Sequence, residues 1–305
     1  MTFSTDAASA HGLKDHGRFA YSAITDRPLL SWPGGAKLAV YIAMNIEHFS
    51  FGEGLGARIA PASAQPDVLN HAWREYGNRV GVWRCLDLLN DLALPCGALI
   101  NTAIYDHCPA VAQAFAARGD EMIAHGYANA YRQSDLDEAG ERSLIEDCST
   151  RMLHEHGVRP TGWLSPWISE SAVTPDLLCE AGYTYTLNWC HDDQPTRMAT
   201  RSGPLWAVPY PQELNDIPMI IGRQMDAKDF AQIVIDQFEE MLLQVSRPDN
   251  PQGLVMGIAL HPYIVGQPYR LRHLRRALHH ISLRARQDPD RRVWLTTPGR
   301  IVAAI

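Results

Sequence analysis

The sequence has no C-x-x-C pair, no basic excess and no long apolar run, and each absence excludes a class. Its six cysteines, Cys85, Cys96, Cys108, Cys148, Cys179 and Cys190, are irregularly spaced. That argues against a disulfide framework or a thiolate zinc knot and for reduced, mostly buried thiols in a cytoplasmic protein. The formal net charge is −7, whereas a nucleic-acid footprint needs a basic patch. No stretch of about 18 apolar residues occurs, so no membrane-spanning helix is expected. The N-terminal MTFSTDAASAHGLKDHGRFAYS has neither a basic n-region nor an apolar h-region and does not read as a secretory signal. There is no repeat of fixed period and no low-complexity tract.

What is present is an ordinary globular composition, 46% hydrophobic and 20% charged over 305 residues, enough for one large α/β domain or two small ones. Residues 1–34 read as an N-terminal arm carrying Phe3, Phe19 and Tyr21, and 35–305 as one barrel domain. Arms of this kind pack on a neighbouring subunit, so a homo-oligomer is expected. Strand-like and helix-like stretches then alternate. LAVYIAMNI (38–46), CGALINTAIY (96–105), EMIAHGY (121–127), YTYTLNW (183–189), LWAVPY (205–210), GLVMGIALHPY (253–263) and VWLTT (293–297) read as strands. Helices are expected over 79–92, 109–119, 135–156, 174–182, 226–246 and 269–286. Such alternation predicts parallel strands covered by helices. With about seven strands, a distorted TIM-like (β/α) barrel is favoured over an open sheet.

In such barrels the C-terminal strand ends build the active site. Those ends carry Asn45, Glu47, His48, Asp106, His107, His125, Asn129, Ser165, Trp167, His191, Asp192, Asp193 and His261. Glu47 and His48, side by side in "MNIEHF", would grip a metal, move a proton or fill a polar rim. A partly desolvated carboxylate such as Glu47 can have its pKa raised toward neutrality, which suits a general base; the plainer reading is a Glu bonded to nearby backbone or Arg. His125 in "AHGYAN" and His261 before a proline suit acid–base work near neutral pH, or simply cap their strands. Asp192 and Asp193 would orient a histidine or bond a polar substrate, or stand in solvent.

Several stretches together resemble the polysaccharide deacetylase (NodB-homology, carbohydrate esterase-like) family, over roughly residue 35 to the C-terminus. They are "YGNRVGVWR" (76–84), "AHGYAN" (124–129), "GWLSP" (162–166), "DDQP" (192–195), "PYPQELNDIP" (209–218) and "LHPYIVGQPYRLR" (260–272). Several look closer still to the allantoinase-like branch. The resemblance implies a distorted barrel of parallel strands. Usual members are zinc or other divalent-metal enzymes. Laid on this chain, their first motif places the catalytic acid at Glu47 and a metal ligand at His48. Their second motif retains His125 but has Asn129 where a second histidine ligand stands, and Leu164 occupies the place of a motif arginine. The catalytic histidine of their last motif matches His261. A metal, if bound, would thus meet His48, His125 and Asn129, a set without a carboxylate and with an amide that zinc disfavours. The branch includes metal-independent hydrolases, so no catalytic metal is the favoured expectation.

The resemblance implies hydrolysis of a non-peptide C–N bond in a small amide, cyclic amide or ureide. Glu47 would activate water, His125, alone or with His48, would orient it or polarise the carbonyl in place of a metal, and His261 would protonate the leaving nitrogen. Asp192 or Asp193 would hold His261 or the substrate, Arg79 would anchor a substrate oxygen, and Trp163 and Trp167 would shape the pocket. The alternatives are a metal-dependent sugar N-deacetylase and an inactive barrel kept for binding.

Overall fold

The computed structural model of the protein describes residues 14–62, 64–248 and 252–305; Phe3 in the expected arm lies outside them. Among the described residues nine strands form one sheet: β1 Leu38–Ile46, β2 Gly97–Ile100, β3 Glu121–Ala124, β4 Gly162–Trp163, β5 Tyr185–Thr186, β6 Thr196–Thr200, β7 Gly203–Ala207, β8 Leu254–Leu260 and β9 Val293–Thr296. Their order is β6-β7-β5-β4-β3-β2-β1-β8. The long β1 pairs with β8 on one edge; on the other it pairs with β9 along its first half and β2 along its second. All pairings are parallel except β6 with β7. The ends of the sheet are not joined by a continuous strand pair. One parallel bridge, Asn215 to Ala259, links the chain after β7 to β8, and the Tyr41 hydroxyl donates to the Pro209 carbonyl.

Ten helices follow in chain order: α1 Val68–Tyr76, α2 Val82–Leu92, α3 Ile104–His107, α4 Pro109–Arg118, α5 Glu138–His156, α6 Thr174–Glu180, α7 Ala227–Val245, α8 Pro262–Val265, α9 Pro268–Gln287 and α10 Pro298–Val302. Their boundaries follow local chemistry. Asp137 caps α5 by accepting from the Gly140 amide at 2.8 Å. Gly119 ends α4 with φ 75°, a conformation glycine adopts without cost. In α2, Val82, Cys85, Leu86, Leu89 and Leu92 recur at helical spacing and are buried.

Strand alternation sorts the core into two layers. In β1, Leu38, Val40, Ile42, Met44 and Ile46 pack beneath the helices, while Ala39, Tyr41 and Ala43 face the interior of the sheet. In β8, Met256, Ile258 and Leu260 face the helices and Val255 and Ala259 the interior. Gly257 lies between them because a Cβ there would stand 2.6 Å from the Tyr41 ring. The interior parity, carried past the strand ends, is what delivers polar residues to the open mouth.

Three sequence expectations shift. The stretch 96–105 is strand only to Ile100, because the Asn101 side chain leaves the ladder to bond other loops and the chain turns into α3. Asp106 and His107 therefore sit on a helix. The stretch 183–189 contributes two strand residues, and β6 was not foreseen. Residues 14–34 lie along the barrel: the Arg18 guanidinium meets Asp176 at 2.8 Å, Arg27 meets Asp192 at 2.6 Å, and the Trp32 indole donates to the Leu254 carbonyl at 2.9 Å. Among the described residues no helix is long and apolar enough to cross a membrane.

Candidate active site

At the C-terminal strand ends lies a cleft of about 130 Å³. Its floor is Asn45, Glu47, His125, Asn129, Tyr210 and His261; its walls are apolar, Trp167 and Ile168 on one side and Ile217 and Pro218 on the other. Among the described residues no Lys or Arg lines it. Glu47 and Asn45 continue the interior parity of β1, His125 that of β3, and His261 that of β8.

Glu47 is the centre. One carboxylate oxygen, Oε1, accepts from Asn129 Nδ2 at 2.5 Å; the other accepts from the Tyr263 hydroxyl at 2.9 Å. The Nε2 atoms of His125 and His261 each stand 3.5 Å from Oε1. Burial pushes the carboxyl pKa up, but the charge of the neighbouring His261 outweighs it, and the group is held well below the usual carboxylate range. This corrects the expected upward shift: desolvation acts as foreseen and is overcome by the charged imidazole that the end of β8 brings within reach.

His261 is fixed by Asp216, whose carboxylate accepts from Nδ1–H at 2.6 Å and from the His261 backbone amide at 2.8 Å. Burial lowers the imidazole pKa, yet the charges of Asp216 and Glu47 raise it to about 10. Burial, with a smaller push from the Glu47 charge, moves Asp216 upward; the proton nevertheless rests on the imidazole, which faces two carboxylates. His261 is thus an imidazolium presenting Nε2–H to the cleft. His125 points Nδ1 at the Leu164 carbonyl, 2.7 Å away. That contact fixes a proton on Nδ1 and leaves Nε2, which is buried without a hydrogen-bond partner among the described residues, facing Glu47.

The other expected residues lie elsewhere. Only Trp167, of the five substrate-binding candidates, lines the cleft. It and Ile168 adopt left-handed conformations, φ 62° and 53°, and its indole donates to the Asn129 carbonyl at 3.0 Å. Trp163 is fully buried and bonds Gln133 and Ser165, a core role. Asp192 is held by Arg27, and the Asp193 carbonyl accepts from the Val255 amide; neither reaches His261, because Asp216 occupies that place. Arg79 pairs with Glu75 at 3.1 Å, is 74% exposed, and lines a second cavity with His48, His71 and His107.

His48 is in that second cavity because it has the opposite strand parity to Glu47. Its ring stacks on His107 with centroids 4.0 Å apart. Asn129 turns its donor toward Glu47, and its acceptor Oδ1 is taken by Asn101 Nδ2 at 3.0 Å. His48, His125 and Asn129 therefore do not converge on one cation, and this set does not fit a resident divalent metal. Among the described residues no three His, Cys, Asp or Glu side chains are arranged to hold a metal ion. Sequence reasoning missed Asp216 and Tyr263, although both stand inside quoted stretches, "PYPQELNDIP" and "LHPY".

No family model matches the sequence. The chain is 28% identical over 154 residues to a peptidoglycan deacetylase of Helicobacter pylori, which covers 49% of this chain and 50% of that protein; it thus spans about half the length of that relative. It is 23% identical over 304 residues to a polysaccharide deacetylase homologue of Schizosaccharomyces pombe, covering 90% of this chain and 91% of the other. Among solved structures, PuuE allantoinase superposes with TM-score 0.75 at 25% identity, over 90% of this chain and 91% of its own.

Proposed function

We infer that this chain, similar to polysaccharide deacetylases in sequence and to PuuE allantoinase in fold, is a metal-independent hydrolase of the NodB-type polysaccharide deacetylase family, acting on a small, uncharged amide, cyclic amide or ureide. It is a hydrolase of C–N bonds other than peptide bonds. The observation that carries the metal-free reading is the place of Glu47 Oε1, 3.5 Å from the Nε2 of both His125 and His261.

The chemistry follows from these protonation states. Ionised Glu47 takes a proton from water, whose oxygen adds to the carbonyl carbon. His125 Nε2, with its proton fixed on the far nitrogen, accepts from the same water and orients it. As the C–N bond breaks, the His261 imidazolium gives its Nε2 proton to the nitrogen, and Asp216 holds the ring throughout. Before that, the imidazolium is the one cation at the cleft to offset charge growing on the carbonyl oxygen. Glu47 then holds the proton from water and His261 lacks one. The 3.5 Å gap between them lets the proton cross directly and restores the starting state.

The small cleft supports a small substrate. Its volume is about 130 Å³. The absence of Lys and Arg from its lining supports an uncharged one, since a carboxylate would face Glu47 and Asp216 with only His261 to balance them.

The test is metal content by elemental mass spectrometry on tag-free protein, before and after chelation, with hydrolysis assays on amides, ureides and acetylated sugars. We expect hydrolysis that survives chelation and drops about 10²- to 10⁴-fold in Glu47→Gln. A stoichiometric metal whose removal abolishes turnover would sink the metal-free mechanism and favour a sugar deacetylase. No turnover on any of these substrates would leave a binding role.

A further inference from the structure

Asn101 stands just past the end of β2 and has no exposed surface. Its side chain joins three separate stretches of the candidate site. Oδ1 accepts from the His48 backbone amide at 2.8 Å. Nδ2 donates both to the His125 carbonyl and to Asn129 Oδ1 at 3.0 Å. The segment carrying Glu47 and the segments carrying His125 and Asn129 are thereby tied to one amide group. Asn101 does not line the cleft.

The last of these bonds has a directional consequence. An asparagine side chain has a donor end and an acceptor end, nearly equal in shape. Asn129 sits between Asn101 and Glu47. Because Asn101 offers it an N–H, its oxygen must face Asn101, and its own N–H₂ must face the Glu47 carboxylate, as seen at 2.5 Å. Rotated by half a turn, Asn129 would set its oxygen against the carboxylate and its N–H₂ against the Asn101 donor, two repulsive contacts in a buried site. The Asn129 backbone amide, bonded to the His48 carbonyl at 2.8 Å, leaves no room to escape by moving the chain.

The geometry points to Asn101 as a positioning residue that fixes the polarity of Asn129 toward the general base. It touches neither substrate nor reacting atoms. It holds Asn129 as a donor, and Asn129 in turn pins Glu47 Oε1 between His125 and His261. Without it the carboxylate oxygen that takes the water proton loses its fixed place.

Only the kinetic arm of the test rests on the hydrolase reading. The first arm needs no substrate: protein labelled with ¹⁵N-asparagine, with the Asn129 side-chain amide assigned by its loss in Asn129→Ala. In the native protein this resonance should be shifted and slow to exchange. In Asn101→Ser, and in Asn101→Leu, which keeps the volume without a donor if the serine variant folds poorly, it should move toward the position and fast exchange of a free amide. An unmoved resonance in a folded variant overturns the proposal. In the kinetic arm, Asn101→Ser should lower kcat on the order of 10- to 100-fold, the cost of a small misplacement at a reacting group, with KM little changed. In the Asn129→Ala background the same substitution should cost almost nothing more, since its effect runs through that amide. Losses that multiply would overturn it. A moved resonance with no turnover on any substrate would uphold the positioning role while the hydrolase reading fell.

Discussion

Glu47 and His48 are neighbours in sequence with opposite fates, and strand parity is the cause. Residues 39, 41 and 43 of β1 face the interior, so Glu47 reaches the cleft and His48 the other side. That parity was legible in LAVYIAMNIEH and would have removed His48 from the ligand set. The partner of His261 was not legible: Asp216 lies 45 residues away, and sequence spacing says nothing of which loop closes on which strand. At this scale the prediction concerns pH. The His261 pKa is raised to about 10, and the general acid must be protonated, so kcat should hold through neutrality and fall as pH rises through about 10. Glu47 is depressed and must be ionised, so no acid limb should arise from it in the ordinary carboxylate range. Asp216→Asn removes one raising charge; the alkaline limb should move to lower pH and kcat should fall about 10²- to 10⁴-fold. A pH–rate profile of both proteins checks this, and an unmoved limb would remove Asp216 from its role.

The π-helical turn Gly77–Gly81 joins α1 to α2 and presses on the turn that carries the acid. A Cβ at Gly81 would stand 2.2 Å from the Pro262 carbonyl oxygen, and one at Gly77 would stand 2.8 Å from the Tyr263 amide nitrogen. This accounts for the glycines of "YGNRVG" by close approach. Gly81→Ala should destabilise the fold by about 1–3 kcal/mol through overpacking, read by thermal or urea unfolding; unchanged stability would mean that the turn yields. The sequence showed α2 by its apolar spacing and missed α1, whose buried residues are the polar Asn70 and Arg74 and carry no apolar signal. Short strands such as β4 and β5, two residues each, were blurred for a related reason: two residues cannot display a period.

For the whole molecule, charge and tethering set what can be tested. The chain carries −7 and its cleft no Lys or Arg. Uncharged substrates should therefore exceed matched carboxylate-bearing analogues in kcat/KM by at least about tenfold, one like-charge contact of roughly 1.4 kcal/mol; equal rates would show that a cation reaches the substrate from outside the cleft. The segment before β1 is fastened by the part-buried Arg27 and Asp192 pair. Arg27→Ala should cost about 1.5–3 kcal/mol, the worth of hydrogen bonds to a charged group, measured by unfolding, and should leave KM unaltered because the pair lies away from the cleft.

His261, Pro262 and Tyr263 occupy consecutive positions. The proton donor and the hydroxyl that steadies the proton acceptor are therefore mounted on a single turn, backed by the two glycines of the neighbouring helical segment. Acid and base stay in register even if that turn shifts as a body. A saturation mutagenesis map of this protein should accordingly show a band of intolerance at the buried Gly77 and Gly81, where no substrate reaches.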